Sequence, residues 1–184
     1  MPKRSQEHLD ARREQILEGA RRCFAEHGYT GATVARLEEA TGLSRGAIFN
    51  YFEGKQALFV AVAVRVNERF QRIFVEEGLE PAVRAMAAED PAWLGALIET
   101  QSKLRHDPEF VRRLEAAYEQ APKTTEWIAA QQESGAIRRD VPAADVARFV
   151  GMVLNGLALR VASEEETDVD ALLVLLHDAL TPRE

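Results

Sequence analysis

Apolar residues recur along most of the chain at intervals of three or four residues and almost nowhere alternate with polar ones. Such intervals place apolar side chains on one face of an α-helix, whereas alternation indicates a strand. Pro91, Pro108 and Pro142 stand where helical patterns begin, and the first turn of a helix accepts proline. The pattern therefore predicts an all-α fold.

Two short helices joined by a tight turn are predicted between Thr33 and Phe52. Thr33 is positioned as the N-cap of the first helix, and Gly42 ends it because glycine adopts a left-handed backbone conformation at little cost. Ser44 caps the second helix. Its inward side chains are expected to be Ala47, Ile48 and Phe52, and its outward residues Arg45, Gly46, Phe49, Asn50 and Tyr51.

The outward residues of this helix pair are of types that suit the major groove of DNA. Arg forms bidentate hydrogen bonds with guanine and Asn with adenine, and an exposed aromatic ring contacts thymine methyl groups or reaches a phosphate. From the residues alone, an ordinary helical hairpin is an equally open alternative, because short helix pairs are common. The surrounding sequence decides between the two.

The motif F-x-x-x-G-Y-x-x-x-T-V begins at Phe24, the turn motif G-L-S-x-G at Gly42, and N-Y-F at Asn50, with Lys55 three residues later. With these motifs, the stretch 14–62 resembles the DNA-binding domain of the TetR family of transcriptional regulators. The resemblance implies a three-helix helix-turn-helix domain at 1–55 and a helical ligand-binding and dimerisation domain at 56–184. The DNA-binding residues then expected are Thr33, Arg36, Ser44, Arg45, Gly46, Phe49, Asn50, Tyr51 and Lys55, of which Lys55 is expected to contact a phosphate.

The rest of the chain is predicted to form further helices. Gly28 ends the first of them, because a glycine after the last turn is a common stop signal. The expected helices outside the helix-turn-helix are 10–27, 55–77, 80–88, 91–106, 108–134, 142–162 and 169–180.

The formal net charge of −7 is unusual for a DNA-binding protein, so its distribution matters. Residues 1–55 contain nine Lys or Arg and eight Asp or Glu, a balance of +1, and the remaining residues carry −8. The negative charge is therefore concentrated away from the expected DNA-binding segment. This is weak support, because overall charge affects association and solubility rather than fold.

Several protein classes are disfavoured by the sequence. Cys23, the only cysteine, is expected to be a buried small hydrophobe, and without a signal peptide or a membrane-spanning run we expect a cytoplasmic protein with no membrane attachment. The four histidines lack the spacing of helical metal sites, and no phosphate loop or nucleophile elbow is present. We expect neither enzymatic activity nor a cofactor or metal.

The last two helices carry broad apolar stripes, which predict a two-fold dimer. One alternative is that both stripes fill the core of a single chain. In the resembled family the corresponding pair forms a four-helix interface with its two-fold mate. The stripe residues are Val146, Phe149, Val150, Val153, Leu154, Leu157 and Val161 in one helix, and Leu172, Leu173, Leu175, Leu176, Ala179 and Leu180 in the other.

Polar residues on otherwise apolar stripes are the expected effector-binding residues, since family members enclose a small-molecule cavity among the middle helices. They are Gln101, Arg105, Tyr118 and Asn155, and each has a purely structural role as its alternative. The stretches IETQSKLRHDPEF, IRRDVP and VLNGLALR are similar to the aconitase-repressor branch of the family, which implies citrate or another carboxylate as effector. The helix expected at 108–134, however, has no Arg in its central part.

The expected function is that of a homodimeric repressor that binds a palindromic DNA operator and is released by a small-molecule effector, through a change in the angle of helix 55–77. Two alternatives are a helical ligand-binding or adaptor protein without sequence-specific DNA binding, and an enzyme with its site inside a helix bundle. Such an enzyme should concentrate acidic residues and histidines inside the bundle, and this sequence does not place them there.

Overall fold

A computed structural model of the chain describes residues 6–118 and 124–182, and the side chains of residues 7–115 and 124–182. Every regular element in these residues is an α-helix, which confirms the predicted all-α fold. Within them, no helix combines the length and the apolar character that crossing a membrane requires. The helices are α1 (Gln6–Gly31), α2 (Val34–Thr41), α3 (Arg45–Phe49), α4 (Gly54–Glu77), α5 (Leu79–Ala87), α6 (Pro91–Leu104), α7 (Pro108–Tyr118), α8 (Thr124–Ser134), α9 (Ala143–Ala162) and α10 (Val169–Leu180).

Most predicted helix bounds are confirmed. α10 begins and ends at the predicted residues, and α4 and α9 each differ from the prediction by one residue at the start. α1 continues to Gly31, but Gly28 inside it has φ 64° and ψ 173°, so the helix is interrupted where its end was predicted.

One predicted helix differs from the structure, and another is only partly described. The helix expected at 108–134 is described in its two end parts, α7 and α8, and residues 119–123 of it lie outside the described residues. The helix expected to reach Phe52 is α3, which ends at Phe49, and the Tyr51 N–H bonds to the Ile48 carbonyl in a tighter turn.

The chain forms two compact units. The first comprises the described residues of 1–66 and 92–120, and the second those of 67–91 and 121–184. α4 is divided between the units, and α6 and α7 belong almost entirely to the first. The functional boundary expected at residue 55 concerns DNA and ligand binding, and it stays a prediction.

The core of the first unit is an aromatic cluster centred on Phe59 of α4. The Phe59 ring lies edge-on to Phe24 at 5.1 Å between centroids, 5.7 Å from Trp93 and 6.5 Å from Phe110. All four side chains are buried. Cys23 is buried beside Phe24 in α1, as predicted, and burial raises the pKa of its thiol.

α1 and α2 approach each other closely at Gly19. A Cβ atom at Gly19 would lie 2.7 Å from the Ala40 carbonyl oxygen and 2.8 Å from the Thr41 Cα. Beside this contact, Gln15 Nε2 donates to the Thr41 carbonyl and Arg22 Nη2 to the Ala40 carbonyl, both at 2.9 Å. These carbonyls belong to the last turn of α2, where carbonyl groups have no hydrogen-bond partners within the helix. α1 therefore positions the end of α2 and satisfies two of its last carbonyl groups.

The second unit has two apolar clusters. The larger cluster contains Phe74, whose ring lies 4.7 Å from that of Trp127 in an edge-on arrangement, together with Ile128, Val146 and Val150. The smaller one is formed by Val83, Leu157 and Leu176. Both clusters contain buried residues of α5, α9 and α10, and Leu79 and Leu154 pack against both clusters.

We expect Gly19→Ala to lower the free energy of unfolding by about 2 kcal/mol or more, because the added methyl group meets backbone atoms that cannot move aside. Gly95→Ala is the matched control, since it lies inside α6 of the same unit and its Cβ would meet nothing within 4 Å. That variant should be neutral or more stable by up to about 1 kcal/mol. Urea denaturation followed by circular dichroism measures both, and equal effects would contradict the close approach.

Candidate functional site

The α2–turn–α3 segment has the caps that the sequence predicts. Thr33 Oγ1 accepts a hydrogen bond from the Arg36 N–H at 3.4 Å, and Ser44 Oγ accepts one from the Ala47 N–H at 3.4 Å. Gly42 has φ 69° and ψ 22°, and its N–H bonds to the Glu38 carbonyl at 2.9 Å. The turn therefore has the left-handed glycine of a helix-turn-helix.

A carboxylate that the sequence analysis missed holds the start of α3. The Arg45 N–H donates to Glu38 Oε1 at 2.6 Å, so a side chain from α2 caps the following helix. Thr41 adds to the turn, because its hydroxyl donates to the Leu37 carbonyl at 2.7 Å and accepts from the Leu43 N–H at 3.3 Å. The only signal in the sequence is a Glu seven residues before Arg45, a spacing that acquires meaning only when the turn is folded.

Arg45 and Gly46 of α3 and its C-cap residue Asn50 are exposed, as predicted. The Arg45 guanidinium and the Asn50 amide form no hydrogen bond within the described part of the chain, and both remain free to bind another molecule. Beside them, a Cβ at Gly46 would meet nothing within 4 Å. A glycine on this face allows a surface to approach the backbone closely.

Phe49 and Tyr51 are half-buried, so the expectation that they face outward is only partly met. The Tyr51 hydroxyl oxygen is buried and has no hydrogen-bond partner among the described residues. The reason is the early end of α3 at Phe49, since Tyr51 then follows the turn instead of the outer face of the helix. Its expected role in DNA binding stays a prediction.

The side chains of Lys55 and Arg36 both donate hydrogen bonds to backbone carbonyls at the end of α1. Lys55 Nζ donates to the Tyr29 carbonyl at 2.8 Å and lies 4.6 Å from the centroid of the Tyr29 ring, and burial lowers the pKa of its amine. Arg36 Nη1 donates to the Gly31 carbonyl at 2.8 Å. A lysine ammonium has three N–H donors, so the bond to Tyr29 leaves two for a phosphate oxygen.

The corner between α6 and α7 is attached to the start of α4 through Asp107. Its Oδ2 accepts from Gln56 Nε2 at 3.0 Å, and its Oδ1 accepts from the N–H groups of Glu109 at 2.9 Å and Phe110 at 3.2 Å. These bonds, the one from the Phe110 N–H first among them, lower the pKa of Asp107. Arg113 Nη2 also donates to Glu53 at 2.9 Å. α6 and α7 therefore brace the residues that precede and begin α4.

Comparison with known proteins identifies the family. The sequence profile described as bacterial regulatory proteins, tetR family, matches residues 16–62. The chain is 48% identical to the HTH-type transcriptional repressor Rv1474c of Mycobacterium tuberculosis, with 98% of each chain covered. It is 41% identical to the HTH-type transcriptional repressor AcnR of Corynebacterium diphtheriae, covering 98% of this chain and 97% of that one. The chain belongs to the tetR family.

Solved structures share the tetR-family fold at low sequence identity. GusR of Salmonella enterica superimposes with a TM-score of 0.72 at 24% identity, covering 97% of this chain and 99% of that one. The fatty acid degradation regulator FadR of Bacillus halodurans superimposes with a TM-score of 0.67 at 22% identity, covering 96% and 95%. At these identities the likeness concerns the fold alone.

The second unit of this tetR-family chain contains a cavity of about 300 Å³, formed by α4, α5, α8 and α9. Asn155, an expected effector residue, lines it. The polar residues Asn67, Gln71 and Thr124 also line it and were missed, although Asn67 and Gln71 interrupt the apolar stripe of α4. The other lining residues are Phe70, Phe74, Ala82, Met86, Ala147, Val150, Gly151 and Leu154.

Of the remaining expected effector residues, Gln101 and Arg105 do not line this cavity. Gln101 and Arg105 lie on or just after α6 in the first unit, where Gln101 is half-buried and Arg105 is exposed. The Arg105 Nε atom lies 3.1 Å from His106 Nε2. Tyr118 ends α7, and its side chain lies outside the described residues. Their assignment to an effector stays a prediction.

α9 and α10 expose large apolar side chains, in agreement with only part of the predicted stripes. Of the stripe residues, Val146, Val150, Leu157, Leu176 and Leu180 are buried in the core of the unit. A second set faces outward, and most of its members were not in the predicted stripes. Their exposed fractions are 37% for Phe149, 61% for Met152, 53% for Leu159, 61% for Val174 and 67% for Leu175.

We expect Glu38→Ala to lower the free energy of unfolding by about 1 kcal/mol, because it removes the acceptor of the Arg45 N–H at the start of α3. Glu39→Ala is the matched control, since Glu39 is the exposed neighbour of Glu38 and its substitution removes the same charge from α2. Urea denaturation measures both variants. If Glu39→Ala costs as much stability as Glu38→Ala, the capping role is refuted.

Proposed function

We propose that the chain is a one-component transcriptional repressor that binds a near-palindromic operator as a homodimer and leaves it when a small molecule fills the cavity of the second unit. The observation that carries the proposal is the exposed pair Arg45 and Asn50, which lie unpaired on a short helix held by Ser44 and Glu38. The names of the relatives, which are transcriptional repressors, favour repression over activation.

In the proposed complex α3 enters the major groove. Arg45 is the donor for a guanine edge and Asn50 the partner of an adenine, while Gly46 lets the groove wall come close to the backbone. Phe49 and Tyr51 add aromatic contacts at the edge of this surface. The residues proposed to contact the DNA backbone are Thr33, Arg36, Ser44 and Lys55.

The exposed apolar side chains of α9 and α10 form the proposed dimer interface. Phe149 and Met152 are three residues apart on α9 and Leu159 follows Met152 by about two turns, so these exposed side chains lie on one side of the helix. Val174 and Leu175 are adjacent exposed residues of α10. Two copies related by a two-fold axis would bury these faces in a four-helix arrangement. Such symmetry matches an operator whose half-sites lie about one helical turn apart.

α4 is the proposed route from effector to operator. Lys55 lies in its first turn, whereas Asn67, Phe70, Gln71 and Phe74 line the cavity. A ligand that binds one orientation of α4 better than another would shift the dimer toward it, and DNA would by reciprocity favour the other orientation.

Citrate or another carboxylate is the effector that the aconitase-repressor resemblance favours. Calorimetry with citrate and magnesium, together with operator release, tests this assignment. Absence of both heat and release would remove citrate as the effector and leave the DNA-binding role unaffected.

We expect Arg45→Ala to reduce operator affinity by about 1 to 3 kcal/mol and to relax base preference at one position of each half-site, because it removes a bidentate base contact. Lys55→Ala is the contrasting variant, since loss of a phosphate contact should weaken binding to all sequences and flatten the salt dependence. Fluorescence anisotropy on operator and scrambled duplexes, at several salt concentrations, measures both. Unchanged operator choice and affinity in Arg45→Ala would mean that Arg45 reads no base.

We expect Leu175→Glu to raise the dimer dissociation constant by at least about 100-fold, because a carboxylate buried without a partner costs several kcal/mol. Ala130→Glu is the control, since it places the same charge on an exposed position of α8, which carries none of these exposed apolar side chains. Sedimentation equilibrium measures the constant for each variant. A dimer as tight in Leu175→Glu as in the original chain would place the interface elsewhere.

A further inference from the structure

We propose that the effector is an uncharged molecule with an apolar body and a few hydrogen-bonding groups, and that Gly151 keeps open part of the space it occupies. This inference rests on the proposed function, because it names the ligand class of the same cavity. It departs from the carboxylate that the sequence resemblance implies.

The cavity wall is uncharged among the described residues. One part is apolar and includes Phe70, Phe74 and Leu154, and the other carries the amides of Asn67, Gln71 and Asn155 and the hydroxyl of Thr124. Transfer of an ionised carboxylate from water to such a wall carries a large desolvation penalty unless a cation pairs with it. A tricarboxylate would incur that penalty three times, whereas a neutral ligand incurs none.

The polar groups of the wall have hydrogen-bonding capacity left for a ligand. The Thr124 hydroxyl donates to Gln71 Oε1 at 2.8 Å, so the Gln71 amide nitrogen keeps both donors. The side-chain amides of Asn67 and Asn155 form no hydrogen bond within the described residues. Amides donate and accept equally well, which suits neutral carbonyl, hydroxyl or N–H groups and gives no preference for an anion.

Gly151 affects the size of the ligand that the cavity accepts. It lies in the interior of α9, where glycine costs about 1 kcal/mol relative to alanine. A Cβ at this position would meet nothing within 4 Å, so packing within the chain does not require a glycine. Because Gly151 also lines the cavity, the missing side chain enlarges the space available to a bound molecule.

The test uses N-phenyl-1-naphthylamine, a neutral probe with one N–H donor that fluoresces when it leaves water. Titration into the full-length protein measures its affinity for the original chain, for Gly151→Leu and for the control Ala144→Leu, which adds a leucine to an exposed position of the same helix. We expect Gly151→Leu to weaken the affinity for the probe by at least about tenfold, equivalent to about 1.4 kcal/mol, and Ala144→Leu to leave that affinity unchanged. Citrate with magnesium should not displace the probe.

Two results would overturn the inference. Equal probe affinity in the original chain and Gly151→Leu would mean that the cavity does not take the neutral probe. Displacement of the probe by citrate with magnesium would mean that the cavity takes a carboxylate. Should Gly151→Leu fail to fold, Ala147→Leu fills the same cavity from the preceding turn of α9 and is read in the same way.

The outcome for the ligand class is separate from that for the proposed function. Operator binding by the original chain and by Gly151→Leu is measured without any probe, and we expect both to bind DNA equally well because α3 is unaltered. If the original chain binds no operator, the proposed regulator function is refuted. If it binds the operator but citrate with magnesium displaces the probe, only the proposal of an uncharged ligand is refuted.

Discussion

The contact of α1 with α2 at Gly19 is the constraint on which the proposed DNA-binding surface depends. No side chain fits there, since even a Cβ would lie within 2.8 Å of the α2 backbone, and Gln15 and Arg22 then reach the last carbonyls of α2. With α2 held in this way, Glu38 is positioned to accept the Arg45 N–H. A glycine in one helix thereby determines how the exposed residues of another are presented.

α4 carries residues of both the first and the second unit. Its first turn carries Lys55 and Gln56, which bond to the end of α1 and to the α6–α7 corner, and its later turns carry Asn67 and Gln71 in the cavity wall. In the proposed mechanism, DNA and ligand would each bias the direction of α4 through residues of that helix.

The fold was largely predictable because its signals are local. Thr33, Gly42 and Ser44 cap or end helices through their own conformations, and the bounds of α10 follow from its apolar stripe. Features that depend on tertiary contacts were not predictable: the bond from Glu38, the burial of the Tyr51 hydroxyl, and the division of the α9 and α10 stripes between core and surface.

Selection of bound sequences from random duplex DNA, at a stated salt concentration, tests the central claim most directly. We expect a palindromic consensus whose half-sites are centred about one helical turn apart, because a two-fold dimer presents one α3 to each half-site. Retention that depends on salt but not on sequence, or no retention, would contradict the account and favour a ligand-binding or adaptor role instead.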